Sequence, residues 1–205
     1  MAAIDYDRSV FINCPFDRRY EPLFRAIVFA VIDCGYVARC ALEDSDSGVV
    51  RIDKIAGLID QCRFGIHDLS RTGLDPKSRL PRFNMPFELG LFLGAKRFGS
   101  KRQSRKLALI LDTHRYRYQK FLSDIAGQDV VAHGNDRRRC IVAIRHWLAS
   151  KTHDRQIPGA KKIVARYIGF DTALPDLCRR AHTDVADLTF GDYAKFIAAW
   201  IERVG

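Results

Sequence analysis

Lys106-Leu107-Ala108-Leu109-Ile110-Leu111 is apolar at every position after the first. An unbroken apolar run of this length reads as a strand buried on both faces, as in a parallel sheet, rather than as an alternating surface strand. Working outward, Val10-Phe11-Ile12-Asn13 reads as a short strand ending in Cys14-Pro15, and residues 20–34 as a helix closed by Gly35 just beyond its end. Residues 36–42 form a second strand. Ile52, Ile55, Ala56, Ile59 and Cys62 recur at helical spacing, and residues 65–69 give a third strand. A polar stretch over 70–82 leads into a helix from Met85 to about Phe98. Beyond the 106–111 strand the pattern predicts a helix over 116–126, a strand over 129–132 and a helix over 137–150. Five strands interleaved with five helices predict an α/β layer architecture, a parallel sheet with helices on both faces.

From about Thr152 the composition changes. Residues 153–159 read as a connector, and Thr189 with Asp192 three positions on offers a helix cap before residues 194–204. The expected organisation is an α/β domain over 1–151 and a helical C-terminal extension over 152–205.

A chain of 205 residues with 47% hydrophobic and 28% charged residues suits one globular domain with an appendage, and argues against disorder or a fibrous repeat. The longest purely apolar run, Ala26 to Ile32, is shorter than the roughly 20 residues that cross a bilayer. The first residues show no basic segment followed by an apolar core, so a cytoplasmic protein with no membrane partner is expected. Six cysteines (14, 34, 40, 62, 140 and 178) lie far apart inside apolar runs and read as buried thiols of a reducing compartment. No metal-ligand spacing joins them to the histidines, and no metal or cofactor is inferred. The net charge of +10 favours polyanions. Its two clusters, residues 96–106 and 137–139, read as solvated surface more readily than as a nucleic-acid footprint.

In open parallel sheets ligands bind beyond the carboxyl ends of the strands. That rule selects residues 13–20 after strand one, 68–71 after strand three, and the opening of the third helix, Pro81-Arg82-Phe83-Asn84-Met85-Pro86-Phe87-Glu88-Leu89-Gly90. Asn84 reads as the helix cap, with Pro86 in the first turn. On that register Glu88 ends the first turn, past the capping-box position, in an otherwise apolar face where an idle carboxylate is costly. The helix N-terminus is expected to hold it ionised.

This ten-residue stretch resembles the Pro-Arg-x-Asn-Val-x-Phe-Glu-Leu-Gly motif of bacterial TIR-like nucleotide-binding domains. More distantly it is similar to the helix bearing the catalytic Glu of nucleoside 2-deoxyribosyltransferases. The resemblance spans residues 9–150 in element order and implies a flavodoxin-like sheet of five parallel strands. It also implies N-glycosidic chemistry on NAD (a substrate, with no cofactor) or a related nucleotide, in a setting of bacterial antiphage defence where assembly controls activity. By the same resemblance Glu88 and Asp68 are the catalytic pair. The loop from Asn13 to Asp17, with Pro15 and Phe16, forms the base side. Read from the residues themselves, Phe16 and Tyr20 line a base pocket, Arg82, Arg71 or Arg18 would contact a pyrophosphate, and His67 and Asn84 complete the substrate side. The acidic, Gly-Thr-containing stretch of the deoxyribosyltransferases is replaced here by Arg82-Phe83-Asn84.

The chemistry suits those residue types. Breaking a ribose–base bond builds positive charge on the sugar, which a carboxylate stabilises or captures. A cationic nicotinamide leaves without a proton, whereas a neutral base needs a donor, for which Asp68 or His67 is the candidate. Three further readings stay open. They are a hydrolase or deoxyribosyltransferase acting on a neutral base, a non-catalytic nucleotide sensor, and a nucleic-acid binder using the two basic clusters. A homo-oligomer and a protein partner for the C-terminal helices are expected with the leading one.

Overall fold

The computed structural model describes residues 5–43, 46, 48–74, 79–152 and 156–204. Five parallel strands, β1 (Ser9–Asn13), β2 (Val37–Arg39), β3 (Phe64–Asp68), β4 (Leu107–Asp112) and β5 (Val130–Ala132), line up in the order β2-β1-β3-β4-β5. This is the flavodoxin-like order, whose chain reversal falls between β1 and β3. The register pairs Asn13 with His67 across β1 and β3, and Asp68 with Leu111 across β3 and β4.

Successive side chains of a strand point to opposite faces, and that parity sorts the interior. Val10 and Ile12 of β1, Phe64 and Ile66 of β3, and Leu109 and Leu111 of β4 enter the larger core, under α1 (Glu21–Asp33) and α4 (Arg137–Thr152). Phe11 turns to the other face, against Ile55, Leu58 and Ile59 of α2 (Arg51–Gln61) and Phe92 of α3 (Asn84–Phe98). Ile110 joins Met85 and Leu89 of α3 on that same side. The parallel ladder therefore needs large apolar residues at both parities, as the 106–111 run announced.

Gly65 lets α3 come close. A Cβ there would lie 2.6 Å from His67 Nε2 and 2.8 Å from the Phe92 ring, closer than real Cβ contacts.

The C-terminal helices α5 (Ala160–Arg180) and α6 (Phe190–Val204) form no separate layer. Ile163, Phe170, Leu174, Tyr193 and Ile197 belong to the same core as α1 and α4. Phe170 stacks 5.4 Å from Phe29 of α1, and Arg166 pairs with the buried Asp33 at 2.8 Å. The expected cap of the last helix forms: the Asp192 amide donates to Thr189 Oγ1 at 3.2 Å while the Thr189 hydroxyl donates to the Asp192 carboxylate at 2.6 Å.

One expected helix does not form. Residues 116–126 make only two 3₁₀ turns, Arg117–Lys120 and Ser123–Ile125. Tyr116 is left-handed (φ 61°), a conformation costly for a non-glycine residue and incompatible with helix propagation. Arg117 is drawn back to the fully buried Asp112, 2.7 Å away, and to the Leu69 carbonyl at 2.5 Å. A buried carboxylate without that partner would cost more than the few hydrogen bonds of a short helix.

All six cysteines are buried free thiols. Among the described residues no helix is long and apolar enough to cross a membrane.

Candidate functional site

The two carboxylates expected to act together lie on opposite faces of the sheet. Asp68 shares the parity of Phe64 and Ile66, so it turns towards α1 and α4. Glu88 comes off α3, which covers the other face.

Asp68 is fully buried and fully engaged. Its Oδ2 accepts from the Tyr20 hydroxyl at 2.6 Å and lies 2.9 Å from His133 Nε2, a close but bent contact. Its Oδ1 accepts from the Ser70 amide at 2.7 Å. His133 Nδ1 accepts from the Asn135 amide at 3.0 Å, which leaves the ring proton on Nε2, facing Asp68. Burial pushes the Asp68 pKa up, but His133 together with the donors Ser70 and Tyr20 outweighs it, and the net shift is downward. Asp68 is thus a buried, ionised tie joining the ends of β3, β5 and α1, with no exposed edge for a ribose hydroxyl.

Asn13 and His67 are also structural. Both have the parity of Phe11 and lie beneath α3. Asn13 Nδ2 donates to His67 Nδ1 at 3.0 Å and to the Met85 carbonyl at 2.9 Å, pinning the first turn of α3 to β1 and β3. His67 sits between Phe11 and Phe92, and burial lowers its pKa to about 3. It stays neutral at physiological pH and cannot protonate a leaving base.

Helix α3 starts at Asn84, one residue earlier than the sequence register. Phe83 is the cap residue, no side chain caps the helix, and Asn84 is the exposed first position. Pro86 takes the third position, the last whose missing N–H breaks no helical bond, and the Phe87 amide makes the first, to the Phe83 carbonyl at 2.9 Å. Glu88 consequently falls in the second turn, where the helix dipole is weaker.

Met85, Glu88, Leu89 and Phe92 are the buried residues of α3, a stripe at helical spacing. Glu88 lies one turn before Phe92 and so carries the row facing β1 and α2 up towards the carboxyl ends of the strands. Only 7% of Glu88 is exposed, and it has no hydrogen bond or ion pair among the described residues. Burial raises its pKa to about 7, opposed by the charge of Arg51 at the start of α2. The carboxyl is therefore not held ionised by the helix end. It is poised near neutrality by desolvation.

The remaining expected residues divide between two places. Pro15 is buried, while Phe16 and Asp17 border a cavity of about 180 Å³ against Phe24, Phe190 and Tyr193, with the exposed Arg18 at its rim. Asp17 caps its own loop through the Arg19 and Tyr20 amides and pairs with Arg71 at 3.4 Å and Arg82 at 3.3 Å. Tyr20 and Arg71 also line a second cleft of about 430 Å³, whose other walls include Arg19, Ser70, Thr113 and Arg137. The carboxyl-end rule, applied in the sequence only to strands one and three, points equally to Thr113 after β4 and His133 to Asn135 after β5. Among the described residues no cluster of three or more His, Cys, Asp or Glu is arranged to hold a metal ion.

No protein-family model matches the chain, and no curated protein matches it.

Proposed function

We propose that the chain is a TIR-like N-glycosidase that cleaves or rearranges the ribose–nicotinamide bond of NAD or a related nucleotide, with Glu88 as the catalytic carboxylate. The observation that supports it is the state of Glu88: a residue nine-tenths buried at the crevice end of α3, whose carboxyl has no partner among the described residues that would give it a structural role. Such a group is costly to keep unless its chemistry is used.

In the proposed reaction the C–N bond to nicotinamide breaks and its electron pair leaves with the base, which departs neutral. The ionised Glu88 stabilises the oxocarbenium ion, and water adds to the anomeric carbon and releases a proton. Asp68 and His67 take no part, since one is sealed among the Tyr20, Ser70 and His133 donors and the other is neutral and buried. The absence of these two donors favours a cationic leaving group over a neutral base, and so NAD over a simple nucleoside. The six free thiols suit a reducing cytoplasm. Antiphage defence, self-assembly and a protein partner enter with the family resemblance.

Mass spectrometry of NAD incubated with the purified chain, alone and under conditions that favour assembly, should show nicotinamide release. Glu88→Gln should slow it by at least about a hundredfold, and release that survives this change undiminished removes Glu88 from the reaction.

A further inference from the structure

We propose that the cleft above β3, β4 and β5 is a phosphate-binding site, built for a pyrophosphate or phosphomonoester group. Three arginines from three separate segments line it: Arg19 before α1, Arg71 after β3 and Arg137 at the start of α4. Among the described residues no acidic residue lines it. The cavity beside α6 has Asp17 and Glu21 in its wall, the one beneath β2 has Glu43 and Asp53, and the one near the start of the chain has Asp5 and Asp7. Among these four described cavities, only the cleft over β3–β5 is lined by positive charge alone.

The cations are unevenly committed. Arg71 reaches Asp17 at 3.4 Å, and Arg137 is braced by Asp171 at 2.9 Å and the Tyr167 hydroxyl at 3.3 Å, so these acids orient two guanidinium groups from outside the cleft. The Arg19 guanidinium is exposed and has no partner among the described residues. Ser70 lines the cleft, and its hydroxyl is buried with no hydrogen-bond partner. Helix α4 adds little itself, because Asp136 Oδ1 already accepts the Arg138 and Arg139 amides at 2.7 and 3.2 Å. The charge therefore comes from planar guanidinium forks, which match phosphate oxygens in pairs.

The floor is tied together. Tyr20 is buried with its hydroxyl on Asp68, and Asp68 faces His133, so the ends of β3 and β5 and the start of α1 are joined beneath the cleft. A cleft of about 430 Å³ takes a small phosphorylated molecule rather than a duplex, which needs an open basic stripe. No lining residue comes from α3, so the site stands independently of the role given to Glu88.

Isothermal titration of the full chain with inorganic pyrophosphate, inorganic phosphate, ADP-ribose and uncharged adenosine tests this without any turnover. Pyrophosphate should bind saturably and adenosine should not. Arg19→Gln and Arg71→Gln should each weaken pyrophosphate about tenfold, while Arg97→Gln, at the far end of α3, should leave it unchanged. Tighter ADP-ribose than pyrophosphate identifies the phosphate end of a nucleotide as the ligand, and equal affinities identify the free anion. Absence of saturable binding, or equal losses in the Arg19 and Arg97 variants, overturns the proposal. A chain that binds pyrophosphate but leaves NAD intact keeps this site and loses the glycosidase reading. A chain that consumes NAD without binding pyrophosphate does the reverse.

Discussion

Asp68 and Glu88 are both buried carboxyls near the carboxyl ends of the strands, one on each face of the sheet, and their acidities move in opposite directions. Asp68 is the more deeply buried, yet its pKa falls, while Glu88 keeps 7% of its surface and rises to about 7. Depth does not decide ionisation here; the supply of donors does. Tyr20, Ser70 and His133 surround Asp68, whereas Glu88 has only the distant charge of Arg51. The first pattern builds a structural tie and the second a poised group.

The largest effect expected from this contrast is catalytic. Glu88→Gln should lower NAD consumption by about a hundred- to a thousandfold, or roughly 3–4 kcal/mol of transition-state stabilisation, read as kcat/KM. In the wild type kcat/KM should rise with pH through about 7 as Glu88 ionises, and a flat profile would break the contrast from the Glu88 side.

His133→Ala should come next, destabilising the fold by about 3 kcal/mol in urea denaturation because it strips a partner from a fully buried carboxylate. An unchanged midpoint would show that Asp68 is not the tie described.

Linkage gives the two carboxyls opposite signs. The folded-state pKa of Glu88 lies above its unfolded value, so its contribution is complete below about pH 4.5 and is lost as pH rises towards 7. Glu88→Gln should then stabilise the protein at pH 8 by about 2 kcal/mol, a figure reduced for residual solvent screening, and the gain should vanish near pH 4. Asp68 is depressed, so its contribution is present above the unfolded carboxylate value and is lost as pH falls through the folded one. Tyr20→Phe, which removes one donor to that carboxylate, should cost about 1.5 kcal/mol at neutral pH and less in acid. Thermal melts from pH 2 to pH 8 distinguish these slopes, the Glu88 change falling above about pH 4.5 and the Asp68 change below the ordinary carboxylate value.

Much of the architecture was legible because period-2 and period-3.6 apolar patterns are local. The five strands, the helix closed ahead of Gly35, the Thr189–Asp192 cap and the buried state of all six cysteines follow from short stretches of chain. The segment over 116–126 misled for the same reason: its pattern is helical, but the tie of Arg117 to Asp112 and the left-handed Tyr116 override it. Glu88 was legible as a carboxyl in an apolar stripe. Arg137 was legible only as part of a basic cluster and Arg19 only as part of the loop after β1, and His133 was not singled out, since nothing local brings these three to the strand ends together.

The sequence by itself determined the elements, their alternation and the apolar row that carries Glu88. Only the tertiary structure decided which side chains share a space. In a strand buried on both faces, the alternation of Phe64, Ile66 and Asp68 with Gly65 and His67 makes the parity visible but not which face each set enters. Donors that set the charge of a buried carboxyl arrive from β5 and α1, far along the chain. Which of two carboxyls is tied and which is poised is therefore a property of packing.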